Sequence, residues 1–399
     1  MRFYEFESKE ILANAGIPIP RSMFCTSAEE VLSAANEIEG PIVLKSQVLS
    51  GGRMKAGGIR FATSGDEAAA AAIDIFALSI SGNKPVGILV EEQIEVEQEY
   101  YAAVTYDGRA KRPLVIFSDM GGIDIEQVAE DHPEHISRTH FSALGDFPDY
   151  VAKNAVADVG IAGSELNGLT RIVSGLARLA LDKDMTLAEI NPIGRLADGR
   201  VIALDCHLDM EQEATKSHKG LLDSMNIGVD EKRQARPPTK FEQDAAFVDS
   251  ADPRGVAGNL TEFEGNLGLI IGAGGGSLTL FDAVRDAGGQ PANYCEIGGN
   301  PSVSKAAALT KLICEQPGIE KIAVMMNVVS NTRVDIVARG VIKGCLDAGY
   351  DPAEKIALFR IPGSWEEEGF AILDKYSVKY VDRSVSMDEA AKMAVESLR

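Results

Sequence analysis

Two short stretches of this sequence gather groups suited to a phosphorylated, metal-bound ligand. Lys45 closes the apolar run Pro41-Ile-Val-Leu-Lys45, and Ser50-Gly-Gly-Arg-Met-Lys-Ala-Gly-Gly58 follows it. Glycines let backbone amides approach phosphate oxygens closely, while Lys45, Arg53 and Lys55 supply neutralising charge. No Gly-Lys-Ser/Thr occurs, so this is not a Walker loop. The second stretch is Ala188-Glu-Ile-Asn-Pro192, followed by Leu204-Asp205. A strand ending in Glu-x-Asn beside a strand ending in Asp sets three oxygen ligands at one hairpin edge. Magnesium that travels with a nucleotide takes only one or two protein oxygens, the phosphates and water supplying the rest. Asn191 and Asp205 fit that need, with Glu189 expected on the opposite side of its strand.

The elements that must hold these residues form two unlike parts. From Pro41 to about Asp205 short β-rich runs dominate: 41–45, 86–91, 100–106, 113–117, 186–190 and 201–205. The last two flank Ala197-Asp-Gly199, a good hairpin turn. One long stretch from Leu166 to Asp184 has helical spacing. This mixture is α+β with an antiparallel sheet. A polar linker, roughly Val229 to Glu242 with Pro237-Pro238, ends it. Five β-runs then alternate with helical patterning, at 265–271, 291–296, 321–327, 355–360 and 378–381. Such alternation implies an α/β, doubly wound parallel sheet like that of flavodoxin.

Composition narrows the partners. The chain has 399 residues, more than one hydrophobic core usually serves. Its 60 Asp and Glu outnumber 39 Lys and Arg, for a net charge of -21. So acidic a surface repels phosphate backbones and anionic lipids, which excludes nucleic acid and membranes as expected partners. The five cysteines form no Cys-x-x-Cys pair and read as reduced, packed thiols. The acidic start and the lack of a long apolar run point to a cytoplasmic protein.

Together with Gly121-Gly-Ile-Asp-Ile-Glu-Gln-Val-Ala129 and Pro291-Ala-Asn-Tyr-Cys-Glu-Ile-Gly-Gly299, these motifs resemble the β-subunit family of succinyl-CoA synthetase. The resemblance extends from Glu5-Phe-Glu-Ser-Lys-Glu-Ile-Leu12 to the last helix, with four motifs in the family's order. It implies an N-terminal ATP-grasp fold over 1–235 and a flavodoxin-like ligase domain over 236–399. Lys45, Gly52, Arg53 and Met54 match positions that hold nucleotide phosphates. Glu91, Ile94 and Glu99 match those around adenine and ribose, and Pro20 matches adenine-using relatives. Asn191 and Asp205 match the Mg2+ ligands, and Glu189 matches an acid that steadies a phosphorylated histidine.

In this family ATP phosphorylates a histidine that resides on a separate α subunit. The phosphoryl group then activates a carboxylic acid, and CoA attacks to give the thioester. The resemblance therefore implies an α partner carrying the histidine and the CoA site, in an αβ or α2β2 assembly. None of His132, His135, His140, His207 and His218 sits in a catalytic-looking sequence setting, with His207, next to the metal strand, the one to watch.

Departures from the family concentrate at the acid end. Met54 stands where the phosphate loop normally has glycine. Gly272-Ala-Gly-Gly-Gly-Ser277 replaces Asn-Gly-Ala-Gly, and Val329-Ser-Asn-Thr-Arg333 replaces Phe-Gly-Gly-Ile-Val. Gly272, Ser330, Asn331 and Thr332 are thus the candidate acid-site residues, the last three in a loop expected to open a helix. Their polarity suggests malate or a citrate-like acid beside succinate. A stand-alone ATP-grasp ligase joining a carboxylate to an amine is the alternative outside this family.

Overall fold

Thr26-Ser27 and Thr63-Ser64 open two helices in the same way. The Ser27 and Ser64 hydroxyls accept from Glu30 N (3.2 Å) and Glu67 N (3.3 Å). Glu30 and Glu67 reach back to the Thr26 and Thr63 amides, so two otherwise orphaned donors are satisfied at each start. The helices, Ala28–Ile38 and Gly65–Phe76, pack on a four-stranded antiparallel sheet. Its strands are β1 (Ser22–Cys25), β2 (Ile42–Ser46), β3 (Ile59–Ala62) and β4 (Ile88–Glu92), in the order β1-β4-β2-β3. Ile42, Leu44, Ile88 and Val90 enter the helix-packed core. Strand alternation therefore turns Lys45 and Glu91 to the opposite face.

A computed structural model describes residues 1–272 and 274–398, which divide into the units Met1–Pro237 and Pro238–Arg399. The rest of the first unit is built on a second antiparallel sheet. It contains β5 (Gln98–Asp107), β6 (Arg112–Ser118), β7 (Ile136–His140), β8 (Met185–Arg195), β9 (Val201–Ala203) and β10 (Cys206–Met210). The order is β10-β8-β5-β6-β7, with β9 also pairing β8. The helix Gly163–Asp182 covers it, burying Leu169, Ile172, Val173, Leu176 and Ala180 at spacings of three and four. Full burial of each large aliphatic side chain contributes about 1.5–3 kcal/mol.

The run 201–205 is not one strand. β9 pairs with Ile193–Arg195, whereas β10 pairs with the stretch from Ile190 back to Met185. Asp205 occupies the bend between them, where Asn191 N donates to Asp205 O (3.0 Å) and Leu204 N to Pro192 O (3.0 Å).

The second unit is α/β. Parallel strands β12 (Leu267–Gly272), β13 (Asn293–Gly298), β14 (Lys321–Met326) and β15 (Ile356–Arg360) lie in the order β13-β12-β14-β15. Two features differ from the sequence expectation. The fifth parallel run, 378–381, only bridges Phe359 to Tyr380. An unexpected strand, β11 (Val256–Glu262), borders β13 in antiparallel fashion. Its alternation is broken by a register shift between Ala257 and Asn259, at Gly258, so period two is invisible in the sequence. Helices Val303–Glu315 and Val334–Asp347 bury Leu309, Ile313, Val337 and Val341 with Ile322, Val324 and Phe359.

Candidate functional site

The face of β2 and β4 that carries Lys45 and Glu91 is lined by charge. Lys45 Nζ donates to Glu5 Oε1 (3.0 Å), Glu91 Oε1 (2.8 Å) and Leu204 O (2.6 Å), using all three ammonium protons. Arg53 reaches Glu5 Oε2 with Nη1 and Asp205 Oδ2 with Nη2 (2.6 Å). Lys9, one helical turn beyond Glu5, pairs with Glu91 and lies 3.2 Å from Glu5 Oε1. Three cations thus face three carboxylates. Burial opposes ionisation of Glu5, but the Lys45, Arg53 and Lys9 charges outweigh it and hold the carboxyl well below its usual range. Burial, followed by repulsion from Lys45, brings Lys9 down to about 8. Lys45 is raised despite burial, because Glu5 and Asp205 favour its charged form.

Gly52 adopts φ 81°, a conformation that glycine takes without strain, and the turn is closed by Gly58 N donating to Arg53 O (2.8 Å). Met54 has no positive φ and projects its side chain to solvent, 62% exposed. The turn therefore has no steric need for glycine there. On the neighbouring sheet, Glu99 lines a cleft of about 400 Å³ with Gly121 and Ile123, and its carboxylate lies where a Cβ on Gly122 would go. Ile94 is half-buried between β4 and β5.

Asn191 and Asp205 meet at the bend of β9 and β10. The Asn191 amide pins the Gly121–Ile123 loop, accepting from Gly122 N (2.8 Å) and donating to Ile123 O (3.1 Å). Ala188 and Ile190 enter the core, so Glu189 shares the other face of β8 with Asn191 and is not opposite to it. Tyr101 OH donates to Glu189 Oε2 (2.9 Å), and burial followed by the Glu189 charge pushes the Tyr101 pKa up. His207 stands directly across from Glu189 in the β10–β8 register, its Nε2 3.2 Å from Asp209 Oδ2. Of the other histidines, His135, His140 and His218 are each 2.8 Å from an Asp oxygen.

Among the described residues no three His, Cys, Asp or Glu cluster as a self-sufficient metal site. One carboxylate and one amide oxygen at a bend suit a cation whose remaining ligands come from phosphate. The Arg53 guanidinium already places positive charge on Asp205, so the donor set fits a metal that arrives with a nucleotide.

Residues 2–195 match the family model of the ATP-grasp domain. Over the whole chain the sequence is 31% identical to the β subunit of ADP-forming succinate–CoA ligase from Desulfurococcus amylolyticus, covering 99% of that protein. It is 32% identical to the same subunit from Methanocaldococcus jannaschii, end to end. The chain belongs to this β-subunit family. ATP citrate lyase from Methanothrix soehngenii, solved with citrate and coenzyme A, shares the fold, with a TM-score of 0.67 at 18% identity and 99% coverage of each chain. The fold is thus an ATP-grasp unit followed by a doubly wound unit.

The other positions singled out in the sequence lie at strand ends of the second unit. Gly272 ends β12 so close to β13 that a Cβ would collide with Ile297 O. It offers no room for a larger residue, and Ala273 beside it lies outside the described residues. Ser277, in the first turn of the helix Gly275–Asp286, is buried against Tyr294 OH (2.7 Å) and Glu296. The loop 329–333 opens a helix as expected, with Arg333 at the N-cap position, but Ser330, Asn331 and Thr332 supply no side-chain cap. The helix starts at Val334, whose amide donates to Ser364 O (2.9 Å) instead of to a side chain of that triplet. Val329 is tied to Pro362 and Ser364 by two backbone bonds. Ser330 and Asn331 face solvent, whereas Thr332 is buried and accepts from Asn300 N (3.4 Å). Arg333 stacks 3.9 Å over the Trp365 ring and forms two bonds to Asp335.

The residues that motif reading did not single out are Glu5, Lys9, Tyr101 and Arg360. Only the first pair left a local signal: opposite charges four apart on a helix that also buries Ile11 and Leu12. Tyr101 reads as a strand residue. Arg360 is buried at the end of β15, where it donates to Met326 O (2.6 Å) and Val385 O (2.9 Å).

Proposed function

We propose that this chain is the nucleotide-binding subunit of an ADP-forming acid–CoA ligase. The observation that carries the reading is the meeting of Lys45, Arg53 and Asp205 beside Asn191, brought together from widely separated strands. In this reading Lys45, Gly52, Arg53 and the Met54 backbone hold the phosphates of ATP, with Glu91, Ile94 and Glu99 around the nucleoside. Asn191 and Asp205 would hold Mg2+, which would supply positive charge to offset the phosphates during phosphoryl transfer. Glu189, oriented by Tyr101, accepts an imidazole N–H from a histidine on a partner α subunit, which fixes the ring for attack.

The second unit would serve thioester formation from a di- or tricarboxylic acid and the partner's CoA, at the loops containing Gly272 and Ser330–Thr332. The family's named acid is succinate. The exposed Ser330 and Asn331 side chains favour trying hydroxylated acids as well. No helix among the described residues is long and apolar enough to cross a membrane, and the five free, buried cysteines support a cytoplasmic setting. An αβ or α2β2 assembly follows from the same reading.

The test is co-expression with the α-like reading frame, then MgATP-dependent labelling of the partner and a CoA-dependent screen of succinate, malate and citrate. Labelled α chain with ADP release is the expected result. A β chain that ligates acids alone, or an α chain that stays unlabelled, would overturn the assignment.

A further inference from the structure

We infer that Glu5 is a positioning residue, the pivot through which magnesium and nucleotide binding are coupled. The inference rests on the nucleotide reading of the first unit. Glu5 lies in the first turn of the helix Glu5–Asn14, and its two oxygens are divided between the two cations proposed to hold phosphate. Oε1 takes Lys45 (3.0 Å) and Oε2 takes Arg53. Arg53 spends its other nitrogen, Nη2, on Asp205 Oδ2 at 2.6 Å. A divalent cation and the Arg53 guanidinium therefore compete for one carboxylate oxygen. Phosphate and Asp205 compete in turn for one guanidinium nitrogen.

The charge balance makes these exchanges interdependent. Lys9, Lys45 and Arg53 offset Glu5, Glu91 and Asp205 with no charge left over. Phosphate arriving alone would draw Arg53 off Asp205 and leave a half-buried carboxylate with only the Cys206 N–H, which is costly. A cation arriving alone would displace Arg53 with no anion to receive it. When both arrive, each exchange compensates the other, and binding of one favours the other. Glu5 makes the exchange a rotation instead of a release: Nη1 stays on its carboxylate while Nη2 turns from Asp205 to phosphate. Lys9 keeps Glu91 occupied, so Lys45 can turn a proton toward phosphate without stranding that second carboxylate.

The test is ADP binding to the full chain by calorimetry, with Mg2+ and with EDTA, alongside hydrogen exchange of the Gly51–Gly58 amides. In the wild type, Mg2+ should tighten ADP binding roughly tenfold or more. Glu5→Gln should shrink that enhancement to about twofold, chiefly by weakening the Mg2+ form, and Glu5→Asp should restore part of it. In an Arg53→Gln background the Glu5 substitution should leave the enhancement unchanged, because the effect passes through Arg53. Equal weakening of both forms by Glu5→Gln, at an unchanged ratio, would overturn the inference and leave the nucleotide reading standing. Hydrogen exchange needs only the wild type. The loop amides should respond to Mg2+ and ADP together and to neither alone, and a full response to ADP alone would also overturn the pivot. Failure to bind ADP under any condition would overturn the nucleotide reading, and this inference with it.

Discussion

Six paired charges, most of them buried, meet at the candidate site of the first unit, whereas the strand ends of the second present glycines, hydroxyls and an amide. In the first, Lys45, Arg53 and Asp205 are each bonded to an opposite charge. In the second, Gly272 is pressed on β13, Thr332 is bonded to Asn300 N, and Arg333 is closed by Asp335 and Trp365. In the proposed reading the contrast follows from what each would hold. Groups that neutralise a polyphosphate must be charged, and a buried charge needs a partner before its ligand arrives. A site made of backbone and hydroxyls stores no such charge, so its geometry depends on close main-chain packing. Side-chain charge should therefore decide behaviour in the first unit, and backbone clearance in the second.

The largest effect should come from the proposed metal position. Asp205→Ala should lower MgATP-dependent labelling of the partner histidine on the order of a thousandfold, with the circular dichroism spectrum retained. Near wild-type labelling would remove Asp205 from the site and with it the charge-based half of the contrast. Next in size is a backbone effect in the other unit. Gly272→Ala sets a methyl on the Ile297 carbonyl oxygen and should cost about 1–3 kcal/mol, read as a lower urea midpoint at similar slope. No change would mean that the strand ends are looser than their packing implies.

Acid should separate the units further. Glu5 is held well below the usual carboxylate range when folded, so its stabilisation is complete above the ordinary carboxylate pKa of 4.5. It is lost as the pH falls from there through the depressed folded value. Hydrogen exchange of the helix Glu5–Asn14 should accelerate over that interval more than that of the helix Val334–Asp347, and equal acceleration would erase the contrast. Ser330→Ala and Asn331→Ala should shift stability by no more than about 0.5 kcal/mol, because both side chains face solvent. Any effect should appear instead in the kcat/KM ratio between succinate and a hydroxy acid. The smallest change is expected for Met54→Gly, whose side chain points away from the turn: ADP affinity should stay within about twofold.

Much of this could be read locally. The Lys45 strand, the glycine-rich turn after it and the β8–β9 hairpin follow from alternation and turn chemistry over a few residues. Helix Gly163–Asp182 announces itself by spacing. What escaped depended on partners distant in the chain. β11 is a strand because β13 pairs with it across a shifted register. The run 201–205 breaks because β8 offers two different stretches to β9 and β10. Ser330–Thr332 carry good helix-cap residue types, yet Arg333 takes the N-cap position and Val334 N is satisfied by the distant Ser364 O.

For β2 and β4 the sequence by itself determined which face is apolar and which carries Lys45 and Glu91, since alternation is a local property of the chain. It also placed the glycines and the cations next to one another along β2 and its turn. It could not say that Glu5 would meet Lys45 and Arg53, that Arg53 would close on Asp205, or that Tyr101 would hold Glu189. Those contacts join residues 40, 48, 152 and 88 positions apart. Their pairing is settled by which burial gives these charges and the Tyr101 hydroxyl their partners, and that condition exists only once the strands are assembled.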